Sequence, residues 1–280
     1  MSPEHRASAH DGGARADASR YLASAGTHAT IAPDTLVPGA YVLSIGGAEQ
    51  SHVDLARPDH VFYAYLRRIA NVLDLLKPPG ERLRVLHLGA GALTLARYVE
   101  ATRPGSRQAA VELERELLDF VLEELPLTPG TVLDTRIGDA RWELAALANE
   151  GTFDAVVLDI FSGPAAPPHI AHRDFYAEAA GVLSEGGAML VNIGDDPPLA
   201  LVRSQLAVMR SVFQEVAALS EPEMFEARFP GNVVAVGLPG EWPEAWTDAL
   251  AAAGPYPTEL RRGLELDGLA GPGPGGSGRT

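Results

Sequence analysis

Three acidic residues, Glu112, Asp139 and Asp159, each follow an apolar run, and an earlier run ends in a glycine-bearing turn, His87-Leu88-Gly89-Ala90-Gly91-Ala92-Leu93. Gly89 and Gly91 let the backbone turn tightly and let a ligand come close. A full dinucleotide fingerprint wants a third small residue where Thr94 stands, which disfavours a nicotinamide or flavin cofactor. Glu112 lies 21 residues after Gly91, where a carboxylate can accept hydrogen bonds from both ribose hydroxyls. Asp139, followed by Ala140, can accept from an adenine amino group, or it can cap the helix that follows. Asp159 leads into a Pro-rich stretch, 160–172, long enough to lie over a site. It is the first candidate for a reacting carboxylate. Asn192, Asp195 and Asp196 follow a later run and could join Asp159 around a divalent cation. His169 and His172 lack an obvious third ligand, so no metal is expected.

These residues need a scaffold that brings strand ends together. Apolar runs at 84–88, 109–112, 133–137, 155–158, 188–193, 215–219 and 233–237 read as strands. Helical patterns fill most of the gaps, at 93–102, 114–124, 141–149, 173–183 and 199–212. Val156-Val157-Leu158 is apolar throughout, as a strand buried on both faces must be. The alternation predicts an α/β fold, a Rossmann-like doubly wound sheet with right-handed crossovers, its last two strands antiparallel. Ahead of it, Tyr41 to Ile45 and Ala48 to Val53 flank Gly46-Gly47 as a β-hairpin. A helix is expected to open at Pro58-Asp59 with Asp59 as its N-cap. The division is 1–35 disordered, 36–57 hairpin, 58–240 Rossmann-like domain, and 241–280 a C-terminal extension with a Gly/Pro-rich tail.

Charge and composition narrow the partners. A net charge of −15 repels nucleic acid and anionic lipid and suits cationic ligands such as amines. No apolar run is long enough for a membrane span, and the first residues lack a secretory signal pattern, so a cytoplasmic location is expected. The absence of cysteine excludes thiolate chemistry and disulfides.

From about residue 41 to 237 the chain resembles the spermidine synthase (polyamine aminopropyltransferase) family. The likeness runs through the hairpin ending in Gln50, Asp59-His60-Val61-Phe62-Tyr63, the glycine turn, Val111-Glu112-Leu113-Glu114, Gly138-Asp139-Ala140, Asp154 to Asp159, Arg173-Asp174-Phe175-Tyr176 and Phe229-Pro230-Gly231-Asn232. It implies a seven-stranded methyltransferase-type sheet, a homodimer, and aminopropyl transfer from decarboxylated S-adenosylmethionine to a small amine. By the same resemblance, Gln50, Tyr63, Gly89, Gly91 and Glu112 hold the donor, with Asp139 and Ala140 at its adenine. Asp159, the first carboxylate of the family's Asp-x-x-Asp-Pro motif, deprotonates or orients the amine. Ser162 stands at that motif's second carboxylate, on the acceptor, and Gly163 at its proline. Tyr63 stands at the His of a Tyr-His-Glu stretch, and Ala92 at an Asp that faces the aminopropyl arm. With Ala92, the pocket is expected to discriminate weakly between intact and decarboxylated S-adenosylmethionine. A methyltransferase using the intact form, or an adenosyl-ligand binder without turnover, are the alternatives. Against methyl transfer, His87 stands where many methyltransferases carry an acidic residue.

Overall fold

The computed structural model describes residues 17–161 and 167–270. Four antiparallel strands come first: β1 (Ala18–Leu22), β2 (Thr27–Pro33), β3 (Ala40–Ile45) and β4 (Ala48–Asp54). The hairpin expected over 36–57 is β3 with β4, half of this sheet. Residues 17–35, expected to be irregular, form β1 and β2 instead. Few apolar residues are needed there, because backbone pairing to β3 supplies the hydrogen bonds while Leu22, Ala29 and Ile31 point inward. Residues 1–16 lie outside the described residues.

Helix α1 (Ala64–Leu76) buries Leu66, Ile69, Ala70, Val72 and Leu73, the stripe that a helical period predicts. It starts later than the sequence suggests, and Asp59 does not cap it. Asp54 is the reason: its Oδ1 accepts from the N–H groups of Ala56 and Arg57 and turns the chain there. Tyr63 occupies the N-cap position, without a side-chain hydrogen bond.

The main sheet then grows in alternation with helices: β5 (Arg84–Leu88), α2 (Thr94–Thr102), β6 (Arg107–Glu112), α3 (Arg115–Glu124), β7 (Val132–Ile137), α4 (Ala140–Leu147), β8 (Phe153–Phe161), α5 (Arg173–Gly181), β9 (Leu183–Asp195), α6 (Ala200–Arg210) and β10 (Glu215–Ser220). A one-turn α7 (Pro222–Phe225) leads into β11 (Gly231–Leu238), followed by α8 (Glu244–Ala253), β12 (Glu259–Arg262) and α9 (Asp267–Ala270). The strand order is β12-β10-β11-β9-β8-β5-β6-β7. The run from β9 to β7 is parallel, while β11 and β12 pair antiparallel with their neighbours. The expected seven strands are all present, and β12 adds an eighth.

That eighth strand makes the C-terminal extension part of the domain as far as residue 270. Trp242, Trp246 and Leu250 pack into the core that α1 and α2 form on one face of the sheet. Asn71 on α1 donates to the Gly254 carbonyl (2.7 Å). The opposite face is covered by α4, α5 and α6, and α3 with the glycine turn closes on the N-terminal sheet. Among the described residues, no helix is long and apolar enough to cross a membrane.

Candidate active site

Strand order reverses at β5, whose chain continues outward to β6 and β7, while β8 and β9 lie on its other side. Ligands of open α/β sheets sit at the carboxyl end of the strands beside such a reversal. Here a cavity of about 920 Å³ opens at that position. Gln50, Tyr63, Gly89, Gly91, Glu112 and Asp159 all line it, although they come from β4, the N-terminus of α1, the glycine turn, β6 and β8.

The glycine turn is fixed by packing as well as by any ligand. Gly89 has φ +91°, and a Cβ there would lie 2.5 Å from the Asp159 carbonyl oxygen. Gly91 has φ +49°, and a Cβ would meet Ser51 Oγ at 2.8 Å. Ser51 Oγ in turn accepts from the Ala92 N–H (3.2 Å), which ties the turn to β4. Glu112 holds the turn from the other side. Its two oxygens accept from the Ala90 and Glu114 N–H groups, each at 3.1 Å. A carboxylate has about four lone-pair sites, so Glu112 keeps capacity for hydroxyl donors.

Asp159 keeps part of its surface open to the cavity but lies deep in the protein. Asn192 Nδ2 donates to Oδ1 (2.8 Å), and the Tyr65 hydroxyl reaches Oδ2 at 3.5 Å. Burial pushes the Asp159 carboxyl above its ordinary value, and these two donors only partly counter it. Tyr65 stacks near-parallel on Tyr63, with ring centroids 6.2 Å apart. Tyr63 donates to Glu49 (3.3 Å), and burial, then Glu49, pushes its hydroxyl up to about 12. The Tyr65 hydroxyl is also raised, by burial and then by Asp159.

The ionic lining is one-sided. Among the described residues, Glu49, Glu112, Asp159, Asp195, Asp196 and Glu221 are in the wall, against the single guanidinium of Arg68. Arg68 is already paired with Glu221 at 2.8 Å. His87 also lines the cavity but brings no charge, because burial pushes its imidazole down to about 4 despite its 2.9 Å contact with Gln108. The two oxygens of Asp195 accept from the Asp196 and Val202 N–H groups (2.9 Å each), which fixes its carboxylate. Among the described residues, no group of three or more His, Asp or Glu side chains is placed to hold a metal ion.

Three expected positions are not in the cavity lining, and a fourth falls outside the described residues. Asp139 and Ala140 do not line the cavity. Asp139 caps α4 through Arg141 N–H (2.9 Å), and its other oxygen contacts His169 Nε2 at 2.6 Å. Partial burial pushes its carboxyl up, but His169 and the helix N–H groups outweigh this and leave it below its ordinary value. Ala92 does not line the cavity: it is 1% exposed and belongs to the buried cluster that includes Leu22, Leu43 and Val53 of the N-terminal sheet. Ser162 lies outside the described residues, as do 163–166. Residues not singled out for this site by sequence, namely Tyr65, Glu49, Glu221 and Arg68, complete the wall. No short sequence window singles them out: Tyr65 and Arg68 lie inside a helix between ordinary neighbours.

No family model matches the chain. A polyamine aminopropyltransferase of Vibrio vulnificus is 26% identical over 164 residues, 58% of this chain. The chain spans about half the length of that relative, 53% of it. A probable spermidine synthase from Corynebacterium glutamicum superposes with a TM-score of 0.77 at 27% identity, over 91% of this chain and 95% of that one. Two further structures share the fold. Human methyltransferase-like protein 13, in complex with SAH, has a TM-score of 0.55 at 21% identity, over 68% of this chain and 89% of its own. A spermidine synthase in complex with the transition-state analogue AdoDATO has a TM-score of 0.54 at 14% identity, over 79% and 71%. The chain is spermidine-synthase-like in sequence and fold, as its motif order implies.

Proposed function

We propose that this spermidine-synthase-like chain is a transferase that moves an aminopropyl group from an S-adenosyl sulfonium donor to an amine. One observation carries the reading: a deep carboxylate, Asp159, faces the stacked Tyr63 and Tyr65 in a cavity whose ionic lining is carboxylate except for the paired Arg68. Such a lining suits a sulfonium and an ammonium together. The acceptor arrives protonated and must become a free amine before it can attack. Asp159 takes that proton, and its raised pKa brings it closer to the amine's own. The nitrogen then attacks the carbon next to sulfur. A C–N bond forms as the C–S bond breaks, the electron pair stays on sulfur, and neutral methylthioadenosine leaves. Holding both reactants in line supplies much of the rate.

His87, kept neutral by burial, stands where many methyltransferases carry an acidic residue, and this puts aminopropyl transfer ahead of methyl transfer in the reading. The deciding experiment incubates the chain with each donor form and an amine mixture. Methylthioadenosine as product supports this reading, S-adenosylhomocysteine supports a methyltransferase, and neither product with tight nucleoside binding supports a binder without turnover.

Glu112 gives a binding test that needs no turnover. Glu112→Gln should weaken methylthioadenosine by about 1–3 kcal/mol, because charge-assisted bonds to the ribose are lost. The amide also puts an NH2 group against one of the two N–H groups that Glu112 now receives. Calorimetry at one salt concentration reads the change, and equal affinity in the two proteins removes Glu112 from the site.

A further inference from the structure

We infer that His52, which lies outside the cavity, is a positioning residue for the transfer: through Phe62 it holds the Tyr63–Tyr65 ring pair against the cationic centre of the donor. This rests on the transferase reading above. Strand β4 supplies three consecutive residues with three tasks. Gln50 lines the cavity, Ser51 accepts from the glycine turn, and His52 is buried against Phe62. From His52 a continuous chain of ring contacts runs to the cavity. His52 stacks on Phe62, with centroids 4.4 Å apart and planes 25° apart. Phe62 meets Tyr63 edge-on at 5.8 Å, and His52 meets Tyr63 directly at 6.3 Å. Tyr63 stacks on Tyr65 at 6.2 Å, and the Tyr65 hydroxyl ends the chain at Asp159 Oδ2.

The far end of the chain is anchored on the N-terminal sheet. His52 Nε2 lies 3.0 Å from Asp34 Oδ2, and Asp34 Oδ1 accepts from the N–H groups of Leu36 (2.6 Å) and Val37 (2.9 Å). Those two N–H groups, with a smaller part from His52, hold the Asp34 carboxyl below its ordinary value. A carboxylate only accepts, so His52 Nε2 carries the hydrogen and the ring has one orientation. Thr94 Oγ1 donates to the His52 carbonyl (3.1 Å), which ties the same residue to the helix that follows the glycine turn. His52 Nδ1 is buried without a hydrogen-bond partner among the described residues. That costs stability, so packing alone favours Phe at this position. What His52 does and Phe cannot is bond Asp34 while it stacks on Phe62. Phe62 is 51% exposed, so little of the fold's stability depends on its side chain.

Ring placement matters because the attraction of a cation to an aromatic face falls with distance. The Tyr65 hydroxyl, at 3.5 Å, is also at the limit of hydrogen-bond reach to Asp159, so a small shift of the rings breaks that contact. Methylthioadenosine has no charge at sulfur and does not feel the rings in this way. The test is therefore calorimetry of methylthioadenosine and of decarboxylated S-adenosylmethionine, with kcat, KM and thermal midpoint, in three variants. Phe62→Leu keeps the apolar bulk and removes the ring, His52→Phe keeps the stack and removes the Asp34 bond, and Phe62→Tyr keeps the ring. The first two should bind decarboxylated S-adenosylmethionine about fivefold more weakly. Their kcat should fall by about tenfold or more. Methylthioadenosine affinity and thermal midpoint should not change, and Phe62→Tyr should keep native values throughout. If His52→Phe does not fold, the two Phe62 variants decide alone. Native behaviour of Phe62→Leu, or a Phe62→Tyr as impaired as Phe62→Leu, overturns the inference. So does a loss that tracks a lower thermal midpoint or is shared equally by methylthioadenosine, since a merely structural role gives that result. If the native chain binds methylthioadenosine but forms none from decarboxylated S-adenosylmethionine and an amine, the transferase reading falls and this inference with it.

Discussion

Asp159→Asn should abolish transfer and stabilise the protein at the same time. The activity loss is expected to be at least ~100-fold, the size of a lost general base. The substitution keeps the shape, with an acceptor for Asn192 Nδ2 and an NH2 that can face the Tyr65 hydroxyl. The stability gain comes from linkage. Burial holds the native carboxyl above its ordinary 3.8, so over that window the native chain keeps a proton that the unfolded chain has released. Stability therefore falls as pH rises from about 3.8 to the native value, and the penalty stays constant above it. The neutral amide carries no such penalty. A gain on the order of 1 kcal/mol would raise the melting temperature by about 2–4 °C near neutral pH, with the difference closing toward pH 4. Product-release rates and thermal unfolding at the two pH values check both halves. Near-native turnover in a folded variant removes Asp159 from the chemistry, and a pH-independent difference in stability removes the buried charge.

What the sequence made legible were features that a short window contains. Val156, Val157 and Leu158 are buried almost completely, and their unbroken apolar run announced a strand covered on both faces. Gly89 was legible because its conformation and its contact with the Asp159 carbonyl admit no side chain. Glu112 followed from its fixed distance to the turn. Features made by pairing across strands were not legible. Nothing in the local pattern at Asn192 or Asn232 says that β9 and β11 lie side by side and link both residues to Asp159. Strand β12 is Glu-Leu-Arg-Arg, a charged edge whose stability comes from backbone bonds to β10. For β1 and β2 a weak signal was present, the period-two burial of Ala29 and Ile31, but it was masked by the polar residues between them. Asp139 shows one of the two roles read for it, the helix cap. The capping bond is on one of its oxygens and His169 on the other, a partner from 30 residues away that no short window contains.

Ala92→Asp should destabilise the fold rather than retune donor choice. The motif comparison places a carboxylate at this position, facing the donor's aminopropyl arm. In this chain the Ala92 side chain is enclosed among Leu22, Leu43, Val53 and Leu93. Its backbone is already committed, with the N–H on Ser51 Oγ (3.2 Å) and the carbonyl accepting from Arg97 Nε (3.2 Å). Arg97 cannot readily turn to meet a new carboxylate, because its other donors hold the Leu125 and Pro126 carbonyls. A carboxylate at position 92 must then be buried without adequate partners or break the contact between the turn and β4. Either outcome costs about 3–5 kcal/mol. Denaturant titration should show a loss of that size. Titration of methylthioadenosine should weaken as well, since the same turn carries Gly89 and Gly91. A variant of native stability that gains tenfold or more for decarboxylated over intact S-adenosylmethionine would overturn this. Position 92 would then face the donor, and the turn would have to repack away from β4 when the donor binds.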